Sequence, residues 1–431
     1  MKHLALPLLA FPLIAAAPAP SPTELRSTIE ALVSFGTRHS LSTTTDPKHG
    51  IGAARNWAAG RFAAIGRACG GCLTVERVSD RFTGPRAPDG VVIEDVLAVQ
   101  RGTTDPDRVI IVQGHIDSRN SDVMDAKGDA PGANDDGSGS ALVIEAARLL
   151  SREKLGATVV YALLSGEEQG LLGARLLVAT AKARGWTVAA VLNNDIVGNS
   201  HGQGGDHVDD RVRVFSEGIR SSEDADAAKA RRGNGGEDDG PSRALAKLVR
   251  RVGAADKASL EVVAIHRPDR FSRGGDHLPF LEAGAPAVRI TEATENYDRQ
   301  HQNIRVENGR AYGDTIDGVD FAYLAKVTAL NVRALREIAS APASPQDVVI
   351  KGALTADTTV SWAAVPGAAG YRVHWRRADG ADWTDHRDVA AAETSLFLKN
   401  VNIDDNFFGV SALAADGAES VVAFAGAPPR K

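Results

Sequence analysis

Two adjacent glutamates, Glu167 and Glu168, stand in SGEEQG directly after the apolar run ATVVYALL. Open α/β sheets gather their ligands at the carboxyl ends of strands, so acids placed there are positioned for chemistry. Glutamates opening a helix also suit its positive dipole end, and taken alone the pair is open to either reading. The pair has company, however. QGHIDSR carries His115 and Asp117, PGANDDGSG carries Asp135 and Asp136, LNNDIVGN carries Asp195, GGDHLPF carries Asp276 and His277, and NYDRQHQN carries His301. Each motif follows or lies close to an apolar, strand-like run. A single histidine is more often structural, but several imidazoles and carboxylates gathered at strand ends form a candidate site. Histidine and carboxylate ligands suit zinc, and three protein ligands plus water serve one catalytic ion. The set is large enough for two ions held a few Å apart. Two Zn²⁺ would bring four positive charges, against three negative ones on Asp135, Glu168 and Asp195.

These residues need a scaffold, and the chain alternates between strand and helix patterns. SPTELRSTIEALVSFG and GIGAARNWAAGRFAAIG have helical periodicity, the first with a Ser or Thr cap. The runs VIEDVLAVQ, RVIIVQG, ATVVYALLS, VAAVLNND, VRVFSEG and APAVRITE are short and apolar, with SGSALVIEAARLLSRE, GLLGARLLVATAKARG and PSRALAKLVRRVG between several of them. Throughout-apolar strands separated by helices predict an α/β fold: a mixed, mainly parallel sheet covered by helices on both faces. Residues 221–240, SSEDADAAKARRGNGGEDDG, have too little apolar content to pack and read as a mobile surface excursion. After the Pro- and Ser-containing stretch 340–347 the period changes to two, in TTVSWAAV, GYRVHWRRA, TSLFLKNV, NFFGVSAL and SVVAFAG. That pattern predicts a small C-terminal β-sandwich over 348–431, with Trp362, Tyr371 and Trp375 in its core.

Composition narrows the function classes. At 431 residues the chain is long for one core, while 43% hydrophobic and 24% charged residues describe an ordinary soluble protein. The net charge of -6 is spread along the chain, with no basic block to engage nucleic acid. Residues 1–20 read as an export signal: Lys2 and His3 precede LALPLLAFPLI, and AAAPAP offers a cleavage site near Ala17. No other segment approaches the roughly 20 apolar residues of a membrane span, so a secreted or periplasmic protein is expected. Cys69 and Cys72, the only cysteines, then read as a local disulfide, with a redox-active pair as the rival reading.

The ordered series HxD, GANDDGSG, Glu-Glu, NND and a late His resembles the co-catalytic zinc aminopeptidase family that includes secreted bacterial leucyl aminopeptidases. The resemblance spans residues 21–339 and implies a zinc exopeptidase fold acting on peptides. It also implies that His115 and Asp195 hold one Zn²⁺, Glu168 and His301 a second, and Asp135 bridges them. By the same likeness Glu167 is the general base toward a metal-bridging water, and Asp117 orients His115. Asp276 and His277 resemble a motif near the family's substrate pocket, but Gly275 stands where relatives often carry Ser. Phe271 and Ser272 stand where the family's oxyanion tyrosine is expected, leaving Arg270, Arg273 and His277 as candidate donors. Asp136 reads as a helix cap or supporting group rather than a ligand, and His201, His207 and His266 as surface or structural residues. The C-terminal segment resembles a fibronectin type III domain. The ligands do not state which peptide terminus is accepted, so a metallocarboxypeptidase stays open beside the aminopeptidase. A one-zinc glutaminyl cyclase-like acyltransferase and a binding protein on an inactive peptidase fold are more distant alternatives.

Overall fold

The computed structural model describes residues 19–256 and 260–426, so the expected export signal, residues 1–20, lies almost wholly outside the described residues. Eight strands form the main sheet: β1 (Thr74–Gly84), β2 (Ala87–Gln100), β3 (Asp105–His115), β4 (Ala157–Leu164), β5 (Thr187–Asn194), β6 (Arg211–Phe215), β7 (Glu261–Ile265) and β8 (Ala287–Glu292). Their order is β1-β2-β4-β3-β5-β8-β6-β7. The β3–β4, β3–β5, β5–β8 and β6–β7 pairs are parallel, and β1–β2, β2–β4 and β6–β8 antiparallel. The helices are α1 (Pro22–Val33), α2 (Gly50–Ala68), α3 (Gly137–Leu150), α4 (Leu172–Ala183), α5 (Ala225–Asn234), α6 (Pro241–Ala254), α7 (Leu278–Glu282) and α8 (Phe321–Ser340).

The central strands are apolar at nearly every position because both faces are covered. Ile110 and Val112 of β3, with Val159, Tyr161 and Leu163 of β4, pack in one core with α1, α2, α3, α6 and α8. The alternate residues Val109, Ile111, Val160, Ala162 and Leu164 pack in a second core with α4 and α7. Each fully buried aliphatic side chain contributes about 1.5–3 kcal/mol, so these two layers fix where the strands end. Edge strand β1 carries no apolar run, because its burial pattern is almost wholly exposed or intermediate. Cys69, at the end of α2, is disulfide-bonded to Cys72.

Beyond His301 come the short hairpin β9 (Arg305–Glu307) and β10 (Arg310–Tyr312), then α8. The final strands are β11 (Val349–Lys351), β12 (Thr358–Ser361), β13 (Gly370–Arg377), β14 (Asp385–Ala390), β15 (Ser395–Leu398), β16 (Asn406–Leu413) and β17 (Ala423–Phe424). They form two antiparallel sheets, β11-β12-β15 and β14-β13-β16-β17. Trp362, Tyr371, Phe408 and Val410 fill the space between them, with Trp375 half-buried against the same core.

The expected surface excursion needs correction. Within residues 221–240, α5 is capped by Asp224, whose side chain accepts from Ala227 N, and Arg231 pairs with Glu223 and Glu237. No residue of α5 is buried, which is why hydrophobic periodicity misses it. The segment's end is buried: Asp239 pairs with Lys247 of α6 and with Arg376 of β13. A Cβ on Gly235 would meet the ring of Phe407 at 2.8 Å, and one on Gly236 that of Phe424 at 2.6 Å. These glycines admit two aromatic rings of the C-terminal strands, so the excursion is where the two parts of the chain dock.

Candidate metal centre

The parallel pairing of β3 with β4 and β5, and of β5 with β8, brings four strand ends together. His115 is the last residue of β3, Glu167 and Glu168 follow β4, Asp195 follows β5, and His301 lies in the loop after β8. Asp135 stands just ahead of α3. Gly166 has φ +76, and its turn carries the chain from β4 to the glutamates where a Cβ would lie 2.7 Å from Ile93. Gly139 lets the first turn of α3 touch the end of β5: a Cβ there would lie 2.2 Å from Asn194 O.

The structure brings His115, Asp135, Glu168, Asp195 and His301 together as two donor groups sharing one residue. His115 Nε2 lies 3.1 Å from Asp135 Oδ1 and 3.9 Å from Asp195 Oδ1. The other oxygen, Asp135 Oδ2, lies 2.9 Å from His301 Nε2, which is 3.0 Å from Glu168 Oε1. Each group thus offers one imidazole nitrogen and two carboxylate oxygens within 4.8 Å of one another, a donor set of the kind zinc favours. Glu168 Oε1 is buried and completes no well-directed hydrogen bond, which fits an atom that ligates a cation.

The electrostatics show the same demand for positive charge. Burial opposes the charged forms here, but Glu168 and Asp135 raise His301 to about 10. His115, likewise resisted by burial, is raised well above its ordinary value by hydrogen bonds to Asp117 and Asp135. Glu168 is lowered to about 2 against its burial, chiefly by His301. Glu167 behaves differently: burial pushes it up to about 8, although His115 opposes the shift. It lines the cleft and belongs to neither donor group.

A surrounding shell aims these donors. His115 Nδ1 lies 3.1 Å from Asp117 O and 3.5 Å from Asp117 Oδ1. The Asp117 carboxylate also accepts from the backbone N–H groups of Glu167, at 3.4 Å, and Glu168, at 3.3 Å. Asp136 caps α3 through Gly139 N and accepts from His115 N and Ile196 N, so one side chain ties a helix start to two strand ends. Asp314 accepts from the backbone N of Asn134 at 2.8 Å and of Asp135 at 2.7 Å, fixing the loop that carries the shared carboxylate. Arg289 is fully buried and places Nη1 2.5 Å from Asp195 Oδ2, leaving Oδ1 directed at His115. Arg119 donates from Nε to Glu168 Oε2 at 2.8 Å and contacts His301 Nδ1 through Nη2 at 2.5 Å.

Asp314, Arg289 and Arg119 are absent from the reading of the sequence. Arg289 had a signal, a lone charge inside the apolar strand APAVRITE, and Arg119 lies two residues from Asp117. Asp314 had none, because it acts through backbone N–H groups nearly 180 residues away. Arg270 and Arg273 do line the cleft, but Arg270 is bound to Asp269 and Glu295, and Arg273 to Glu295. Asp276 and His277 are both buried, and neither is among the side chains that line the cleft. His277 points Nε2 at Pro268 O, 2.7 Å away. Four non-glycine residues lining the cleft have positive φ: Leu171 and Ile196 at 60°, Ser272 at 56° and His301 at 50°. Such conformations cost about 1–3 kcal/mol each and gather at functional sites.

The sequence profile of peptidase family M28 matches residues 95–319, which contain both donor groups. The chain belongs to peptidase family M28. It is 42% identical over 407 residues to a probable zinc metalloprotease of Leptosphaeria maculans, with 93% of each chain covered. Among solved structures it is similar to the LapA aminopeptidase of Legionella pneumophila, with a TM-score of 0.52 and 19% identity over 74% of this chain and 72% of that one. A leucine aminopeptidase precursor from Bacteroides thetaiotaomicron gives a TM-score of 0.51 and 16% identity over 75% and 99%. At these identities the structural likeness shows the fold, and the sequence matches place this M28 chain among peptidases. Among the described residues no helix is long and apolar enough to cross a membrane.

Proposed function

We propose that this M28 peptidase is a zinc-dependent exopeptidase that removes N-terminal residues from peptides. The observation that carries the reading is Asp135, whose two carboxylate oxygens face separate His–carboxylate groups and would bridge two Zn²⁺ per chain. His115 and Asp195 would hold one ion, Glu168 and His301 the other. Zinc bound there supplies a Lewis acid that polarises the scissile carbonyl. Glu167, free of both donor groups, takes a proton from the attacking water and passes it to the departing amine nitrogen. Asp117 orients His115 and holds the backbone of both glutamates, so the base and its neighbouring ligand keep a fixed spacing.

Zinc is supported by the donor chemistry and by the probable zinc metalloproteases among the relatives, and the aminopeptidase direction by the aminopeptidases among the similar structures. We assign residues 21–339 to the peptidase unit, 340–347 to a linker and 348–431 to a sandwich of fibronectin type III type, the last from its two antiparallel sheets. Export to the periplasm or medium is supported by the N-terminal residue pattern and suits the Cys69–Cys72 disulfide. The test is mass spectrometry of an unblocked mixed-sequence peptide incubated with zinc-loaded protein, beside a chelated control. Chelator-sensitive loss of successive N-terminal residues is expected. Trimming from the C-terminus would replace the aminopeptidase by a carboxypeptidase, and an untouched peptide would remove the peptidase assignment of this site.

A further inference from the structure

The cleft that holds the donor groups has a volume of about 540 Å³ and an uneven chemistry. Arg86, Arg119, Arg270 and Arg273 line it, although the chain as a whole carries a net charge of -6. Its apolar side chains are Pro85, Leu171 and Ile196, and Ile196 is only 1% exposed. With two divalent cations offsetting the carboxylates on its floor, the walls leave an excess of positive charge facing the substrate.

The arginines are not equally committed. Arg270 spends its donors on Asp269, Glu295 and Gly274 O, and Arg119 on Glu168, His301 and Asn120 O. Arg273 shares Glu295 with Arg213 and Arg270, three guanidinium groups on one carboxylate, and its side chain remains 31% exposed. Arg86 is the freest. It sits with Pro85 in the two-residue turn between β1 and β2, where Gly84 pairs with Ala87. Its Nη1 donates to Glu168 O at 2.8 Å, and among the described residues it forms no ion pair with a carboxylate. A guanidinium anchored beside a ligand's backbone, on an exposed residue that lines the cleft, presents a fork suited to a carboxylate.

We infer that the cleft selects peptides carrying a carboxylate next to the scissile bond, read by Arg86 with Arg273 behind it. This rests on the peptidase reading above and names its substrate class. The carboxylate has two chemical sources, an acidic N-terminal side chain or a free C-terminus one residue away. The experiment uses the full zinc-loaded chain and peptides of one core sequence, each read by mass spectrometry as kcat/KM. One arm compares an N-terminal Glu with Gln, and the other a C-terminal acid with its amide on a dipeptide. In one arm the acidic member should be cut about tenfold faster or more, an advantage that shrinks at high salt, and the responding arm names the source. Arg86→Gln should reduce that ratio by about tenfold, with Arg86→Lys retaining part of it. Arg86 is exposed in a turn, and an unchanged melting temperature will show that the variants fold. Equal rates in both arms, or a ratio that survives Arg86→Gln, would overturn the inference while leaving the peptidase intact. If the parent cuts none of these peptides nor the mixed-sequence peptide, the peptidase reading itself falls.

Discussion

Adjacent residues of one type should fail differently when each loses its charge. Glu168 belongs to a three-residue donor group, 3.0 Å from His301 Nε2 through Oε1 and 2.8 Å from Arg119 Nε through Oε2. Glu167 lines the same cleft outside both groups. Glu167→Gln keeps the volume and every proposed ligand, so both proposed ions should remain. Loss of the proposed general base should lower kcat by about 10²- to 10⁴-fold, or about 3–5 kcal/mol of barrier. Glu168→Gln leaves its ion two strong donors, His301 and the shared Asp135, where a catalytic zinc ordinarily keeps three. It also sets an amide against Arg119, so bound metal should fall from two ions per chain toward one. Elemental analysis of gel-filtered protein, with kcat/KM on a neutral and an acidic peptide, reads both quantities on the same samples. Equal metal loss in the two variants, or turnover within about tenfold of the parent in Glu167→Gln, would refute the division of labour.

Asp136→Ala should remove a helix cap and leave His115 N and Ile196 N buried without an acceptor, costing on the order of 3 kcal/mol or more in denaturant titrations. Asp239→Ala should strand Arg376 and Lys247 where the C-terminal sheets dock and cost about 3–5 kcal/mol, with Arg376→Met in that background recovering part. No recovery would mean that the docking rests on the aromatic contacts instead. Acid should loosen the same interface through Glu419, which hydrogen bonds to His374 and pairs with Arg251 and Arg372. Burial raises it, but His374 and Arg251 win and hold it at about 2, below its ordinary 4.5. Because the folded value is depressed, the stabilisation, on the order of 3 kcal/mol, is complete above about pH 4.5 and fades as pH falls toward 2. Glu419→Gln should flatten that part of the pH–stability curve, and an unaltered curve would remove Glu419 from the account.

The apolar runs alternating with helical patterns specify the α/β architecture, because a strand buried on both faces has no polar positions to spare and the pattern reports that directly. The motifs after those runs were legible for a similar reason: a ligand at a strand end sits beside its own strand in the sequence. The sequence was silent on exposed elements such as β1 and α5, which bury too little to leave a pattern. It misjudged the 221–240 segment, whose Gly235 and Gly236 read as loop composition and turned out to be space for two rings from residues far along the chain. Only the tertiary structure decided that Arg289 turns Asp195, that Asp314 holds Asp135, and that Asp276 and His277 are buried without lining the cleft. Those outcomes depend on contacts between residues tens to hundreds of positions apart, and local periodicity carries no information about which side chains long-range packing brings face to face.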